Sequence, residues 1–220
     1  MKLDPGWARD RYGQYCLYCR REGIRRVIDG GRAFHDCTVC GRRSGRAIVI
    51  DPGVRWWVDS DGEYWHESAG VFIRRPDGRF LFFSRTMFPF AVTVPAGHVD
   101  TGEEPATAAV REVSEEVGLD VGSCLVPVGS DAIAGDSCSR GADAHRWHTY
   151  LAPVGAGIAA RVIEEGEDPV WLSLDEAADR DLTVPVRYIL HRYRGELLNA
   201  APATAATPDA EGGGLLRSSG

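Results

Sequence analysis

Short apolar blocks broken by Gly, Pro and Asp fill the middle of this chain, and one longer segment has a helical period. Residues 68–74 (SAGVFIR) and 79–85 (RFLFFSR) flank Pro76, Asp77 and Gly78, which predicts a strand, a turn and a return strand. Residues 90–95 (FAVTVP) predict a further strand that ends just before Gly97. From 105 to 117 the chain is rich in Ala and holds no Gly. Ala106, Val110, Val113 and Val117 recur there at steps of four, three and four, which is one face of a helix. Downstream, 124–128 (CLVPV) reads as extended, 129–144 as a loop with at most a short strand, and 145–154 (HRWHTYLAPV) as a strand. Residues 158–168 read as part strand and part loop, and 169–172 (PVWL) as a strand. Ser173 and Glu176 form a capping box for a short helix over 174–179. Thr183 and Pro185 open a last helix over 184–198. Strands, helix, strands, helix in this order predict an α+β fold with a mixed sheet between helices.

The first fifty residues follow another pattern. Residues 27–34 (VIDGGRAF) read as strand, Gly-Gly turn, strand, and Ile48 and Val49 offer one more strand. Cys16, Cys19, Cys37 and Cys40 are spaced C-x2-C-x17-C-x2-C, as in a zinc site. Four thiolates around Zn²⁺ leave no open position, so the ion is expected to be structural. A segment this short seldom folds on its own core. A zinc ribbon over residues 1–55, linker included, is therefore expected. Two disulfides or a redox CxxC are the competing readings. The start MKLDPGWARD lacks the apolar stretch of a signal peptide, which disfavours disulfides and gives the cytoplasm as the expected location. No apolar run is long enough to span a membrane. Trp56 and Trp57 are expected to fill the seam between this module and the next. Residues 200–220, with no periodicity, read as a disordered tail.

Charge divides the chain in the same way. Residues 1–50 hold 11 Lys/Arg and 5 Asp/Glu, whereas the whole chain holds 25 and 32. The remainder is strongly acidic, and the basic module has the composition of a phosphate- or nucleic-acid-facing surface or of a docking surface for its acidic neighbour.

The acidic residues of the long helix carry the chemistry. Glu112, Glu115 and Glu116 lie at i, i+3 and i+4, on a face apart from the apolar one. Three carboxylates on one side repel each other unless a cation sits among them, and an all-oxygen set suits Mg²⁺ or Mn²⁺. Arg111 neighbours Glu115 and can pair with a loop carboxylate such as Glu103. Gly118 can take the left-handed cap position.

The stretch GHVDTGEEPATAAVREVSEEVGL resembles the Nudix box: Gly, five residues, Glu, seven residues, Arg-Glu, an aliphatic, any residue, Glu-Glu, any residue, Gly, an aliphatic. Gly97, Glu103, Arg111, Glu112, Val113, Glu115, Glu116, Gly118 and Leu119 fill every position. The resemblance implies a Nudix-type α/β/α sandwich over about residues 65–199. It implies a Mg²⁺- or Mn²⁺-dependent hydrolase that splits a nucleoside diphosphate linked to another group. Glu112, Glu115, Glu116, Arg111 and Glu103 would be its catalytic set, and the Gly97 carbonyl would be a further metal ligand. Glu164, Glu165, Glu167 and Asp168 are candidates for a later-loop base. Arg85, Phe90, His98 and Glu165 are the candidate substrate contacts; Phe88, Trp147 and Trp171 are further candidates for stacking on a nucleobase. His145 and His148 point to opposite faces of their strand and make no ready metal pair. Cys124 and Cys138 read as plain reduced thiols.

A zinc ribbon ahead of the box is similar to the NADH pyrophosphatase branch, but residues 120–145 lack that branch's Ser-Gln-Pro-Trp array. NADH, ADP-ribose, nucleotide sugars and nucleoside triphosphates all stay open as substrates. An isopentenyl diphosphate isomerase would have an altered box. The alternative of another class is a nucleotide-sensing or nucleic-acid-binding module with a basic zinc ribbon; it would not need the box glutamates. The expected partner is a small nucleoside diphosphate derivative, with nucleic acid second, no membrane, and a homodimer compatible with the chain.

Overall fold

A computed structural model describes residues 1–4, 11–159 and 161–199. The expected tail over 200–220 lies outside the described residues. The first module has β1 (Gly13–Tyr15) paired with β5 (Ile48–Ile50). Its three-stranded sheet is β2 (Ile24–Asp29), β3 (Arg32–Cys37) and β4 (Arg43–Ser44), with the expected Gly-Gly turn at Gly30 and Gly31.

The second sheet is organised around β7 (Tyr64–Arg74). Its other strands are β6 (Trp56–Val58), β8 (Phe80–Arg85), β9 (Val92–Thr93), β10 (Ala96–His98), β11 (Val126–Ala134), β12 (Ala144–Pro153) and β13 (Gly166–Leu172). The main order is β11-β12-β7-β8-β13, with β6 and β10 also on β7 and β9 on β8. β12 runs parallel to β7 and the other pairings are antiparallel, so the sheet is mixed.

Period-two alternation builds a core on each face. Ala69, Val71, Ile73, Leu81 and Phe83 face α1 (Pro105–Val117) and its Ala108, Ala109, Val113 and Val117. Phe72, Phe80 and Phe82 face the other way, toward α2 (Leu174–Ala178), α3 (Val184–Arg192) and α4 (Arg194–Asn199). Helices thus cover both faces, the expected α/β/α arrangement.

Four expectations shift. Residues 129–134, expected as a loop at most briefly extended, continue the edge strand β11 that residues 126–128 begin. An edge tolerates Gly, Ser and Asp, and Asp131 there accepts from Tyr188 (3.1 Å) and Tyr193 (2.8 Å). The last helix breaks at Tyr193 into α3 and α4. Ala106 is exposed, because the buried stripe of α1 runs through Ala109, Val113, Glu116 and Val117 instead. Thr183 precedes α3, but its hydroxyl faces Thr93 (3.4 Å) rather than capping the helix.

The two modules share a small core of Leu3, Tyr15, Ile48, Ile50, Tyr64 and Ala142, with Trp56 against it. Trp57 instead stacks on Trp65 at 5.8 Å. Arg46 donates to the carbonyls of Cys138 (3.0 Å), Gly141 (3.0 Å) and Ala142 (2.9 Å) and to the Asp143 carboxylate (2.6 Å). Among the described residues no helix is long and apolar enough to cross a membrane.

Candidate functional site

Strand β10 delivers Gly97 directly against α1. A Cβ at Gly97 would overlap the Glu112 carboxylate, so only Gly lets that carboxylate lie on the backbone. Pro105 starts α1, and Gly118 (φ 68°) ends it in the left-handed region, its N–H on the Ser114 carbonyl at 3.0 Å.

Arg111 fixes the loop before the helix. Its Nε and Nη2 grip both Glu103 oxygens, at 3.1 and 2.9 Å. Nη2 also donates to the His98 carbonyl (3.0 Å), and Nη1 donates to Glu112 (2.6 Å) and Glu115 (3.2 Å). The Arg111 fork, together with the Asp100 N–H, holds the Glu103 carboxyl below its usual range. Arg55, in the linker, donates to the Glu103 carbonyl and to Glu67 (3.3 Å).

Glu116 is the innermost carboxylate, 3% exposed, and accepts the Ala96 N–H at 2.8 Å. Burial pushes it well above the ordinary carboxylate range, against the pull of Arg85. Burial also raises Glu112, to about 7, although Arg111 opposes this. Glu112 and Glu116 are both desolvated, with the exposed Glu115 beyond them, and their oxygens are the donor type that a hard divalent cation takes.

These groups line one cleft of about 450 Å³. Arg85 enters it with its side chain 14% exposed, its Nε without a partner, and Glu165 at 3.8 Å. Glu164 lines it too. Tyr12, Gln14, Arg26 and His35 bring the first module into the same wall. Phe90 sits elsewhere: its ring meets Phe34 at 5.4 Å and lies under Arg32, as part of the seam. Trp171 lies under Arg75, whereas Trp147 packs in the core and also lines the cleft. His148 pairs with Glu67 at 2.7 Å, away from the buried His145.

The NUDIX domain family matches residues 65–193, more than half of the chain. The chain belongs to the Nudix family. Its Nudix domain carries an intact box, with the loop, helix and cap that the box pattern demands. An uncharacterized Nudix hydrolase of Rhodococcus erythropolis, orf19, is 41% identical over 83 residues, 35% of this chain and 40% of that protein. A putative 8-oxo-dGTP diphosphatase 3 of Mycobacterium tuberculosis is 31% identical over 144 residues, 61% of this chain and 62% of that one. The chain therefore spans less than two thirds of the length of either relative. The NUDIX domain of Shewanella oneidensis NrtR, solved with ADP ribose, superposes with a TM-score of 0.52 at 16% identity, covering 63% of this chain and 93% of that one. That likeness concerns the fold.

In the first module, Cys16, Cys19, Cys37 and Cys40 bring four sulfurs within 4.8 Å of one another, and all are free thiols. Across the knuckles, Cys16 to Cys40 is 3.6 Å and Cys19 to Cys37 is 3.7 Å. Zn–S bonds of about 2.3 Å at tetrahedral angles give roughly 3.7–3.8 Å between sulfurs, so a zinc ion fits and a disulfide does not. Cys138, expected as a plain reduced thiol, is free, and it lies beside His66, His98 and His145. Positions 66, 98, 138 and 145 have no spacing that reveals this grouping; only the strand register produces it.

Proposed function

We propose that the chain is a divalent-cation-dependent hydrolase that cleaves the diphosphate linkage of a nucleoside diphosphate bound to a second group. The supporting observation is the pair of desolvated carboxyls, Glu112 and Glu116, packed against a backbone kept bare by Gly97. Glu112, Glu115, Glu116 and the Gly97 carbonyl would hold Mg²⁺ or Mn²⁺, which when bound offsets the charge on the phosphate oxygens and lowers the pKa of attached water. Arg85 would pair with a non-bridging phosphate oxygen that the carboxylates alone would repel. Attack of water at phosphorus breaks the P–O–P bridge and leaves a nucleoside monophosphate and the phosphorylated second group, which is pyrophosphate when the substrate is a nucleoside triphosphate. Glu165, beside Arg85 at 3.8 Å, is our choice for the group that takes the water's proton.

We take residues 1–55 as a zinc ribbon with its linker and 65–199 as the hydrolase unit, with zinc held by the four knuckle cysteines. The candidate substrates are 8-oxo-dGTP, after the mycobacterial relative, and ADP-ribose, after the ligand of the similar fold, followed by NADH and nucleotide sugars. The test is release of new phosphate monoester, read by a coupled phosphatase, from each compound with and without Mg²⁺. We expect one clearly preferred, Mg²⁺-dependent substrate. A folded, metal-replete protein that cleaves none of them would reject the hydrolase reading and favour a sensor.

A further inference from the structure

We propose that the Nudix domain contains a second transition-metal site, formed by His66, His98, Cys138 and His145, that is separate from both the cysteine knuckles and the box carboxylates. Each of the four side chains offers one ligand atom, and these atoms all lie within 4.8 Å of one another.

The sheet register assembles the cluster. His145 on β12 stands opposite His66 on the parallel β7. His98 on β10, along the other edge of β7, stands opposite Ser68, two residues on from His66. A two-residue step returns to the same face of a strand, so three adjacent strands present three imidazoles on one face. Their ring centroids are 4.6, 5.6 and 5.8 Å apart. Cys138 comes from the β11–β12 connection, whose carbonyls Arg46 holds.

Hydrogen bonding around the cluster turns lone pairs inward. The Tyr64 hydroxyl donates to the Val49 carbonyl at 2.6 Å, so its oxygen is left to accept from His66 Nε2 at 2.7 Å. A proton on Nε2 leaves His66 Nδ1 as a bare acceptor, and Nδ1 faces His98 Nε2 at 2.9 Å and Cys138 Sγ at 3.5 Å. His145 Nδ1 is engaged by Asp136, whose carboxylate and carbonyl each lie 3.0 Å away, which leaves Nε2 for the cluster. An imidazole oriented by a carboxylate on its outer nitrogen is the usual second shell of a metal-bound histidine. His66 and His145 are 0% and 2% exposed, while the half-buried His98 and Cys138 border, with His145, the cleft that the box carboxylates line, which gives an ion a path in.

The spacing and the donor types agree on the ion. Zn–N bonds near 2.0 Å and Zn–S bonds near 2.3 Å at tetrahedral angles give edges of roughly 3.3 Å for N–N and 3.6 Å for N–S. The 3.5 Å nitrogen–sulfur edge matches about as closely as the 3.6 Å sulfur edge does among the knuckle cysteines, and the 2.9 Å nitrogen–nitrogen edge is about 0.4 Å short of the tetrahedral value, so a bound ion would spread those two imidazoles by that much. Three imidazoles and a thiolate select a borderline ion, Zn²⁺ above all, and not Mg²⁺. Four protein ligands close the tetrahedron, so the ion is structural. It would pin β7, β10, β12 and the 135–143 turn together. His98 adjoins Gly97, and its carbonyl is held by Arg111, so the ion would fix the strand that brings Gly97 to the box helix.

The test is elemental analysis of the full chain purified without chelator, with zinc absorption spectroscopy on the same sample. We expect about two transition ions per chain, about one in Cys138→Ala and in His145→Ala, and about one in Cys16→Ser. If both ions are zinc, the averaged first shell should contain five sulfurs to three nitrogens, from four cysteines at one site and three histidines with one cysteine at the other. That measurement needs no variant to fold. One zinc with an all-sulfur shell would overturn the proposal, as would two ions retained in both Cys138→Ala and His145→Ala. The Cys16→Ser protein reports on the knuckles alone, so their failure and the failure of this site are distinguishable.

Discussion

Gly97→Ala isolates the position of one carboxylate from the rest of the cleft. The added methyl falls well inside 3.0 Å of the Glu112 carboxylate, while ordinary contact begins at 3.4 Å. The backbone is no obstacle, because Gly97 is not among the glycines with positive φ. The obstructed atoms are the far end of a flexible side chain, so Glu112 must swing aside by about 1 Å or more. A strained rotamer costs about 0.5–1.5 kcal/mol. The 2.6 Å contact with Arg111 is lost, but it is a partly exposed ion pair worth about 1 kcal/mol at most. Stability should therefore fall by only about 1–2 kcal/mol, a Tm shift of several degrees at this chain length. Catalysis should fall further, since a 1 Å misplacement in such a site costs roughly 10²-fold, or about 2.7 kcal/mol. The assay is kcat/KM at saturating Mg²⁺ on the preferred substrate, paired with a calorimetric Tm. Turnover within about threefold of the parent would refute the argument that Gly97 exists to seat Glu112.

Glu116→Gln keeps the shape and the Ala96 hydrogen bond but removes a buried charge from the cation set. Turnover should drop by at least about 10²-fold while Tm in chelator holds or rises, and a steep Tm loss would show Glu116 to be structural. For Arg85→Ala we expect kcat/KM down about 10- to 100-fold, from one lost charge-assisted bond to phosphate of about 1.5–3 kcal/mol; an unchanged value would remove Arg85 from the cleft chemistry. Glu103→Gln weakens the fork that ties the loop to Arg111, so stability should fall by about 1–2 kcal/mol in urea unfolding; a flat result would mean that Glu112, Glu115 and the His98 carbonyl hold Arg111 without it. Deleting residues 1–50 should raise KM more than it lowers kcat, because the box helix keeps its own core; equal KM would make the first module a bystander to the cleft.

Local signals in the chain carried the box, its glycines and the knuckles, because each depends on residues within a few turns of one another. The capping box at Ser173 and the Gly-Gly turn are of the same kind, and both form as the residues predict. Elements decided by pairing partners were illegible. Residues 129–134 of β11 have the composition of a loop, yet they are extended because β12 offers them a ladder. Ala106 fits the apolar period of α1 but lies beyond the edge of what the sheet covers. The histidines at 66, 98 and 145 meet only because a parallel pairing and a short antiparallel one share β7. Phe90 showed its aromatic character but not its neighbour, which belongs to the other module.

The seam between the modules explains why the first one belongs to the cleft. Loops are the least stable parts of a domain, and two of them border this site. The 86–90 loop is held where Ala33 donates to the Thr86 carbonyl at 2.9 Å and Phe34 packs on Phe90. The 137–143 turn is held by Arg46, by the Ala47 and Val49 N–H groups on the Ser139 and Arg140 carbonyls, and by the 2.8 Å pair of Arg140 with Asp51. The linker then braces the box loop itself: Thr101 N–H reaches the Gly53 carbonyl at 2.8 Å, and Arg55 N–H reaches that of Val99 at 2.8 Å. Arg46 spends its charge on the Nudix domain's turn, whereas Arg11 and Arg43 pair with Glu22, Asp29 and Asp36 inside their own module, so the seam rests mainly on backbone N–H groups. The basic excess of the first module therefore does little of the docking, and Arg26, its one cation among the described residues that line the cleft, faces the space where an anionic substrate would lie.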